Sequence, residues 1–163
     1  MSNYFLLWIR DGRKTVEMES SFVADSTLIQ ALEQRSVPLP CLRGLMLFRQ
    51  GDLPIGLYII RSGEAMLLLT DENGNEVAQF DVGAGSILGL PAVVANEPYS
   101  LSAMVRERSQ VSFVEIAVFE ELMREQPSLF PKVLEVLAAE VRSARNALTG
   151  ILGRLASRPS RVM

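Results

Sequence analysis

Short apolar or alternating segments, each followed by turn-forming residues, recur through the middle of this 163-residue chain. The segments that we predict as strands are 45–48, 56–61, 64–70, 76–80, 87–88, 100–105 and 111–116. Gln50-Gly51-Asp52, Ser62-Gly63 and Asp71-Glu72-Asn73-Gly74 lie between the early strands, and such residues are typical of tight turns. Several short strands with regularly spaced turns favour an antiparallel β-sandwich or barrel.

An N-terminal extension, 1–24, precedes these strands. Asp11-Gly12 is a strong signal for a two-residue hairpin between an apolar segment, 4–9, and a returning strand, 14–18. We expect the aromatic side chains of this hairpin to pack on the barrel or on a second subunit. They are Tyr4, Phe5 and Trp8.

Helical patterns are predicted on both sides of the strands. Asp25 or Ser26 can cap a short helix over 27–34. After the last strand, 118–125 has apolar residues at helical spacing, and Pro127 ends that helix. Ser128 can cap the final helix, which we expect to span 128–156 and to be followed by a basic tail, 157–163.

The final helix carries apolar residues at alternating steps of three and four. They are Leu134, Leu137, Val141, Ala144, Leu148, Ile151 and Leu155. This spacing is that of a two-stranded coiled coil, whereas a helix packed only on its own barrel needs a broader apolar face. We expect the early turns to pack on the barrel and the later turns on a second copy, which predicts a homodimer.

The segment 83–106 departs from the strand pattern at its centre. Gly89 and Pro91 precede a run of small residues, 92–95, and this predicts one helical turn whose first amides point outward. Because a helix N-terminus leaves N–H groups unpaired, it can receive an anion or a polar ligand group. A tight connection between two strands that needs a glycine explains the same residues without a ligand.

Together with its neighbours, this segment resembles the cyclic nucleotide-binding domain of the catabolite activator and fumarate–nitrate regulator (CRP/FNR) family. The stretches that carry the resemblance are 47–52, 56–64, 71–77, 111–116 and 117–122, within roughly 25–155. The resemblance implies a mainly β fold with flanking α: an antiparallel jelly-roll-like barrel with short helices, 25–127, before the C-terminal dimerisation helix. Tyr58, Phe80 and Phe113 are then core aromatics.

The phosphate cassette of the resembled family reads Gly-Glu-(Leu/Ile), a short helix, then Arg-(Ser/Thr)-Ala, and its Glu and Arg hold the ribose and the cyclic phosphate. Here Gly89 matches the Gly, Leu90 stands at the Glu, and Leu101 (or Ser100, if the loop is counted differently) stands at the Arg. We therefore expect cyclic AMP and cyclic GMP to bind poorly, and no other cofactor is implied. The candidate ligand-binding residues of this degenerate cassette are Gly89, Leu90, Pro91, Ala92, Tyr99, Ser100, Leu101 and Ser102.

The residues that the chain lacks exclude several kinds of site. Cys41 is the only cysteine and there is no histidine, which argues against a disulfide framework, a multi-cysteine cluster, most zinc sites and any histidine-based triad. No catalytic pattern is recognisable, so we expect a protein that is not an enzyme and binds no metal. The apolar segment 4–9 is far shorter than the ~20 residues of a membrane span. A single cysteine fits a reducing environment, so a cytoplasmic location is expected.

The net charge of −3 is unevenly distributed. From 141 to 163 the charged residues are five arginines with no acid, and such a basic end can bind nucleic acid or lie as a solvated helix face. No helix-turn-helix is recognisable after Leu155, so this chain alone is not expected to bind a specific DNA sequence.

The expected function is that of a non-catalytic, effector-sensing regulatory module that forms a homodimer. One alternative is a dimeric interaction or scaffold protein whose vestigial pocket is filled by Leu90 and Leu101. Another is the sensor half of a transcription regulator that acts through a separate partner. In each case any small-molecule ligand would lie beneath 89–102.

Overall fold

The structure is a computed structural model, and it describes residues 9–10, 13–14, 23–40, 44–106 and 108–156. The strands are β1 (Ile9–Arg10), β2 (Arg13–Lys14), β3 (Val37–Leu39), β4 (Met46–Phe48), β5 (Gly56–Ser62), β6 (Glu64–Thr70), β7 (Glu76–Gly83), β8 (Ile87–Leu88), β9 (Ser102–Val105) and β10 (Gln110–Glu115). The helices are α1 (Ser26–Glu33), α2 (Leu90–Ala95), α3 (Ile116–Glu125) and α4 (Phe130–Ala156). A 3₁₀ turn, Pro127–Leu129, directly precedes α4.

Strands β3 to β10 form two antiparallel four-stranded sheets. One sheet has the order β3-β10-β5-β8 and the other has the order β4-β9-β6-β7. All neighbouring strands pair antiparallel. This arrangement, with its helices and long C-terminal helix, confirms the predicted mainly β, jelly-roll-like fold.

The largest difference from the sequence prediction is β3, which was not predicted because it contains Pro38. Proline has no N–H to donate to a sheet and is confined to edge strands and bulges. In the structure β3 is an edge strand that pairs with β10 alone. An edge position therefore explains how this proline is accommodated in a strand.

Strand β5 separates two hydrophobic clusters. Tyr58 and Ile60 belong to the cluster between the sheets, whereas Leu57 and Ile59 belong to the cluster between the first sheet and the helices. Successive side chains of a strand point to opposite faces, so a strand covered on both faces is apolar throughout. Tyr58 and Phe80 are buried, and the partly buried Phe113 packs against the same cluster, as predicted for core aromatics.

The short helices lie close to their predicted bounds. The side chain of Asp25 accepts a 2.9 Å hydrogen bond from the backbone N–H of Thr27, which confirms one of the two predicted caps of α1. Helix α4, by contrast, begins at Phe130 rather than after a cap at Ser128, because Pro127–Leu129 form the 3₁₀ turn.

Helix α4 has a buried face and an exposed apolar face. Val133, Val136 and Ala147 are buried against the two clusters. On a second face Leu134, Val141 and Leu148 are 63%, 56% and 56% exposed. Of the other residues in the predicted seam, Leu137 is partly buried and Ala144 is exposed. The side chains of Ile151 and Leu155 lie outside the described residues.

Strands β1 and β2 pair antiparallel, with Ile9 opposite Lys14 and Arg10 opposite Arg13. This is the register that a two-residue connection at 11–12 requires. The predicted turn residues and the aromatic residues Tyr4, Phe5 and Trp8 lie outside the described residues. In the part of the chain that is described, no helix is both long enough and apolar enough to cross a membrane.

Candidate functional site

Helix α2 begins at a sharp corner formed by Gly89. The φ angle of Gly89 is +84°, a left-handed conformation that glycine adopts at little cost. A Cβ atom at this position would lie 2.8 Å from Cε1 of Tyr99. The glycine is therefore needed both for the backbone conformation and for close contact with the tyrosine ring.

Tyr99 is fixed in place by its own hydrogen bonds and by ring contacts. Its hydroxyl donates a 2.7 Å hydrogen bond to the carbonyl of Gly56 and accepts a 3.3 Å bond from the N–H of Ile55. Its ring stacks on Phe48 with centroids 4.1 Å apart. Tyr99 is one of the predicted ligand-binding residues, but the backbone engages its hydroxyl, so only the ring faces the site.

A small cavity, which we call the α2 cavity, lies beneath this corner and has a volume of about 40 Å³. Its lining residues are Phe48, Leu67, Leu88, Gly89, Pro91, Ala92, Tyr99, Ser100, Leu101 and Glu140. The volume suffices for water molecules, whereas pockets for drug-sized ligands are typically ~300–1,000 Å³. A nucleotide cannot enter without displacement of the surrounding side chains.

The structure brings most of the predicted site residues together. Gly89, Pro91, Ala92, Tyr99, Ser100 and Leu101 line the α2 cavity. Leu90 does not: it is fully buried in the cluster between the first sheet and the helices. Ser102 is also directed elsewhere, since its hydroxyl accepts a 2.9 Å hydrogen bond from the N–H of Gln50. Leu90 is thus a core residue, and the expectation that it fills the pocket is corrected.

Sequence reasoning missed Glu140, which reaches the α2 cavity from α4. Its Oε1 atom is enclosed and has no hydrogen-bond partner, and burial raises the pKa of this carboxyl to about 8. Glu140 lies four residues after Val136 and seven before Ala147, so it shares the buried face of α4. An acid on an otherwise apolar helical face was the signal that could have identified it.

The α2 cavity therefore lacks the positive charge that is expected of a phosphate site. Of the described residues that line it, Glu140 alone has a side chain that ionises near neutral pH, and neither lysine nor arginine is among them. Burial raises the pKa of the one other titratable group, Tyr99. Leu101, at the position of the cassette arginine, is partly buried against the core and lines the cavity.

The sequence model of the family described as "Cyclic nucleotide-binding domain" matches residues 40–126. Among curated proteins, the fumarate and nitrate reduction regulatory protein of Vibrio cholerae is 28% identical over 116 residues. That alignment covers 71% of this chain and 44% of the regulator. The chain thus spans less than half the length of this relative.

Solved structures share the fold at lower identity. The c-di-GMP responsive global regulator CLP of Xanthomonas campestris has a TM-score of 0.69 at 17% identity, covering 82% of this chain and 65% of that one. Oxidized CprK, in complex with o-chlorophenolacetic acid, has a TM-score of 0.62 at 13% identity and coverages of 80% and 54%. The match to 40–126 spans more than half of the 163 residues. The chain belongs to the cyclic nucleotide-binding domain family and is related to the catabolite activator and fumarate–nitrate regulators.

Proposed function

We propose that this chain is a non-catalytic sensor module in which the α2 cavity receives a small molecule other than cyclic AMP or cyclic GMP, and in which α4 transmits occupancy to a second copy. The observation that carries the proposal is the position of Glu140. One face of α4 supplies this residue to the cavity, and another face of the same helix is apolar and exposed. A ligand that moves Glu140 therefore acts on the helix that presents the exposed face.

The charges of the cavity disfavour a cyclic nucleotide. Its phosphate would meet the carboxyl of Glu140 and the apolar side chain of Leu101 rather than a guanidinium group. Hydrogen bonds to charged groups contribute ~1.5–3 kcal/mol each, and those of an arginine with phosphate are frequently bidentate. Their loss alone corresponds to at least one to two decades of affinity.

The ligands of proteins with this fold are not confined to cyclic AMP and cyclic GMP. Of the solved structures described above, one is called responsive to c-di-GMP and another holds o-chlorophenolacetic acid. Neither molecule is cyclic AMP or cyclic GMP. A domain of this family with a different ligand is therefore consistent with its structural relatives, and the curated relative is itself named a regulatory protein.

The exposed face of α4 supports homodimerisation. Leu134, Val141 and Leu148 are spaced seven residues apart, and each is more than half exposed. Leu152, also on α4, is 56% exposed. A contiguous apolar surface of this kind is typical of interaction sites, and the heptad spacing is that of a coiled coil. We infer that two α4 helices pair along this face.

An interaction module with a vestigial pocket is a second candidate function. The small volume of the α2 cavity and the presence of Leu101 in its lining favour it. In that case the folded dimer would act as a docking partner, including for a separate DNA-binding protein, without any ligand.

A thermal-unfolding screen against small molecules distinguishes the two candidates. The screen should contain cyclic AMP, cyclic GMP, c-di-GMP and short organic acids, amines and alcohols. Ligand at about 100 times its Kd adds ~2.7 kcal/mol of stability to the protein. The sensor proposal predicts stabilisation by at least one organic compound and none by the two cyclic mononucleotides. If no compound stabilises the protein, the sensor proposal fails and the interaction module is favoured.

A further inference from the structure

One oxygen of the Glu140 carboxyl group is enclosed and lacks a partner among the described residues, although the residue as a whole is only partly buried. Its Oε1 atom accepts no hydrogen bond. Buried polar groups in proteins are nearly always hydrogen-bonded, and buried charges are paired. This oxygen therefore requires a proton or a cation that the described residues do not supply.

Among the described residues, the elements that surround Glu140 offer no cation. On α4 itself the residues three and four positions away are Val136, Leu137, Ser143 and Ala144, none of which carries a charge. From the other elements, the titratable residue that lines the α2 cavity is Tyr99, and its hydroxyl already bonds to the backbone of 55–56. The carboxylate of Asp52 acts electrostatically on Tyr99, which adds negative rather than positive charge to this region.

We propose that the α2 cavity binds a small ammonium-bearing molecule whose positively charged nitrogen pairs with the carboxylate of Glu140. This inference rests on the sensor function proposed above and specifies its ligand class. The pair supplies a counter-charge that the described residues do not provide. The remaining lining, including Leu67, Leu88 and Leu101, suits an alkyl or aryl group on the same molecule.

The aromatic rings of the cavity also favour a positively charged ligand. Phe48 and Tyr99 are stacked and both contribute to the lining. Aromatic faces carry negative charge density and attract ammonium groups. An anionic ligand would be repelled by the ring faces and by Glu140 whenever its carboxyl is ionised, so the site discriminates by charge.

The size of the cavity limits the ligand. A volume of about 40 Å³ has room for a few water molecules, each of which needs ~10–15 Å³ of cavity volume. An ammonium ion with a short alkyl chain is the largest ligand that enters with small side-chain adjustments. A longer chain requires α4 to move outward, since this helix carries Glu140 and forms one side of the cavity.

The protonation of Glu140 gives the proposal an independent signature. Burial raises the pKa of this carboxyl to about 8, so an ammonium ligand must displace a proton at neutral pH. The affinity for the ammonium ligand should therefore increase about tenfold per pH unit below the pKa of Glu140. Above that pKa the affinity should level off. Tyr99 does not contribute to this dependence, because burial raises its pKa above the ordinary value of 10.

The test is an NMR titration of the full chain with methyl-, ethyl-, propyl- and butylammonium chloride. Carboxylates and alcohols of the same chain lengths serve as matched probes. The variants are Glu140→Gln, which removes the charge at nearly constant shape, and Glu135→Gln as the control. Glu135 is an exposed acid on the same helix and does not line the cavity. Thermal unfolding establishes that each variant is folded.

We expect the ammonium series to shift the amide signals of residues 89, 90, 92 and 99–101 in the wild type and in Glu135→Gln. In Glu140→Gln the affinity should fall by at least ~10-fold, and its dependence on pH should disappear. Equal binding of ammonium ions to the wild type and Glu140→Gln, or equal binding of the matched carboxylates, would overturn the inference. If alcohols or carboxylates bind and ammonium ions do not, the ligand class is wrong while the sensor function stands. If no probe of any series binds, both are wrong.

Discussion

The hydroxyl group of Tyr99 donates a 2.7 Å hydrogen bond to the carbonyl oxygen of Gly56, 43 residues earlier in the chain. The same hydroxyl accepts a bond from the N–H of Ile55. Gly56 begins β5, and Tyr99 lies in the loop between α2 and β9. The two bonds therefore fix the loop of the candidate site to the central strand of the fold.

Changing Tyr99 to Phe should destabilise the protein by about 1–3 kcal/mol. The change leaves the carbonyl of Gly56 and the N–H of Ile55 without their partner, and a buried unsatisfied group has a cost of that size. Urea unfolding measures the effect. Tyr58→Phe is the matched control, because Tyr58 is equally buried and no hydrogen bond of its hydroxyl is found in the described part of the chain. Equal losses in both variants would show that the Tyr99 bonds are unimportant.

Changing Gly89 to Ala should destabilise the protein more than changing Gly74 to Ala. Both glycines have φ angles near +80°, so both variants place a side chain in the left-handed region. Only at Gly89 would the new Cβ meet an atom, Cε1 of Tyr99 at 2.8 Å, since nothing lies within 4 Å at Gly74. The difference in unfolding free energy should be about 1–3 kcal/mol, the usual cost of overpacking. Equal free energies would mean that the tyrosine ring moves aside freely.

The buried carboxyl of Glu140 should make stability depend on pH. Its pKa is about 8 in the folded protein, against an ordinary value of 4.5. Between pH 4.5 and pH 8 the folded state therefore binds one more proton at this group than the unfolded state does. Stability should fall as pH rises from about 4.5 to about 8, by up to ~1.4 kcal/mol per pH unit, and level off above. The free energy of unfolding of the wild type minus that of Glu140→Gln isolates this contribution. A difference that stays constant with pH would show that the carboxyl is not buried in solution.

The exposed face of α4 should hold a dimer together. Replacing Val141 and Leu148 with Glu places two charges on that face, and both positions are 56% exposed, so the fold should tolerate them. Sedimentation should show a wild-type dimer and a folded variant monomer. Asn146→Glu with Thr149→Glu adds the same charge at exposed positions outside the seam and should stay dimeric. A monomeric wild type, or dissociation of both variants, would contradict pairing through this face.

The strands were predictable because their signals are local. Glycine and asparagine turns mark most of the ends, and the alternating or continuous apolar pattern reports whether one or both faces are covered. The burial of the Leu90 side chain and the contact of Glu140 with the α2 cavity could not be predicted in the same way. Helix α2 has six residues, too few for a periodic pattern to reveal its inner face. Glu140 lies about 40 residues after Leu101 in the sequence. It reaches the same cavity because of where α4 packs, and no local motif indicates this contact.

The position of Leu90 changes how a nucleotide site could be restored. The family pattern suggests replacing Leu90 with Glu, but Leu90 is fully buried among apolar side chains. A carboxyl there would be buried without a partner, so this change should destabilise the protein rather than bind ribose. Leu101, which lines the α2 cavity, is the position at which a cation would face a ligand.

Cyclic AMP should bind poorly to the wild type and better to a variant that combines Leu101→Arg with Glu140→Gln. The arginine supplies the charge for the phosphate, and the glutamine removes the carboxyl that would otherwise repel the ligand or pair with the arginine. Leu101→Arg alone should gain less, because the new guanidinium and Glu140 neutralise each other. The expected order of affinity is therefore the double variant, then Leu101→Arg, then the wild type, with at least a tenfold gain in the first, which corresponds to about 1.4 kcal/mol.

Calorimetry measures the three dissociation constants, and a micromolar value for the wild type would contradict the proposed specificity. If the double variant gains nothing, the limit is the roughly 40 Å³ volume of the cavity rather than its charge. In that case α4 does not move far enough to admit a nucleotide.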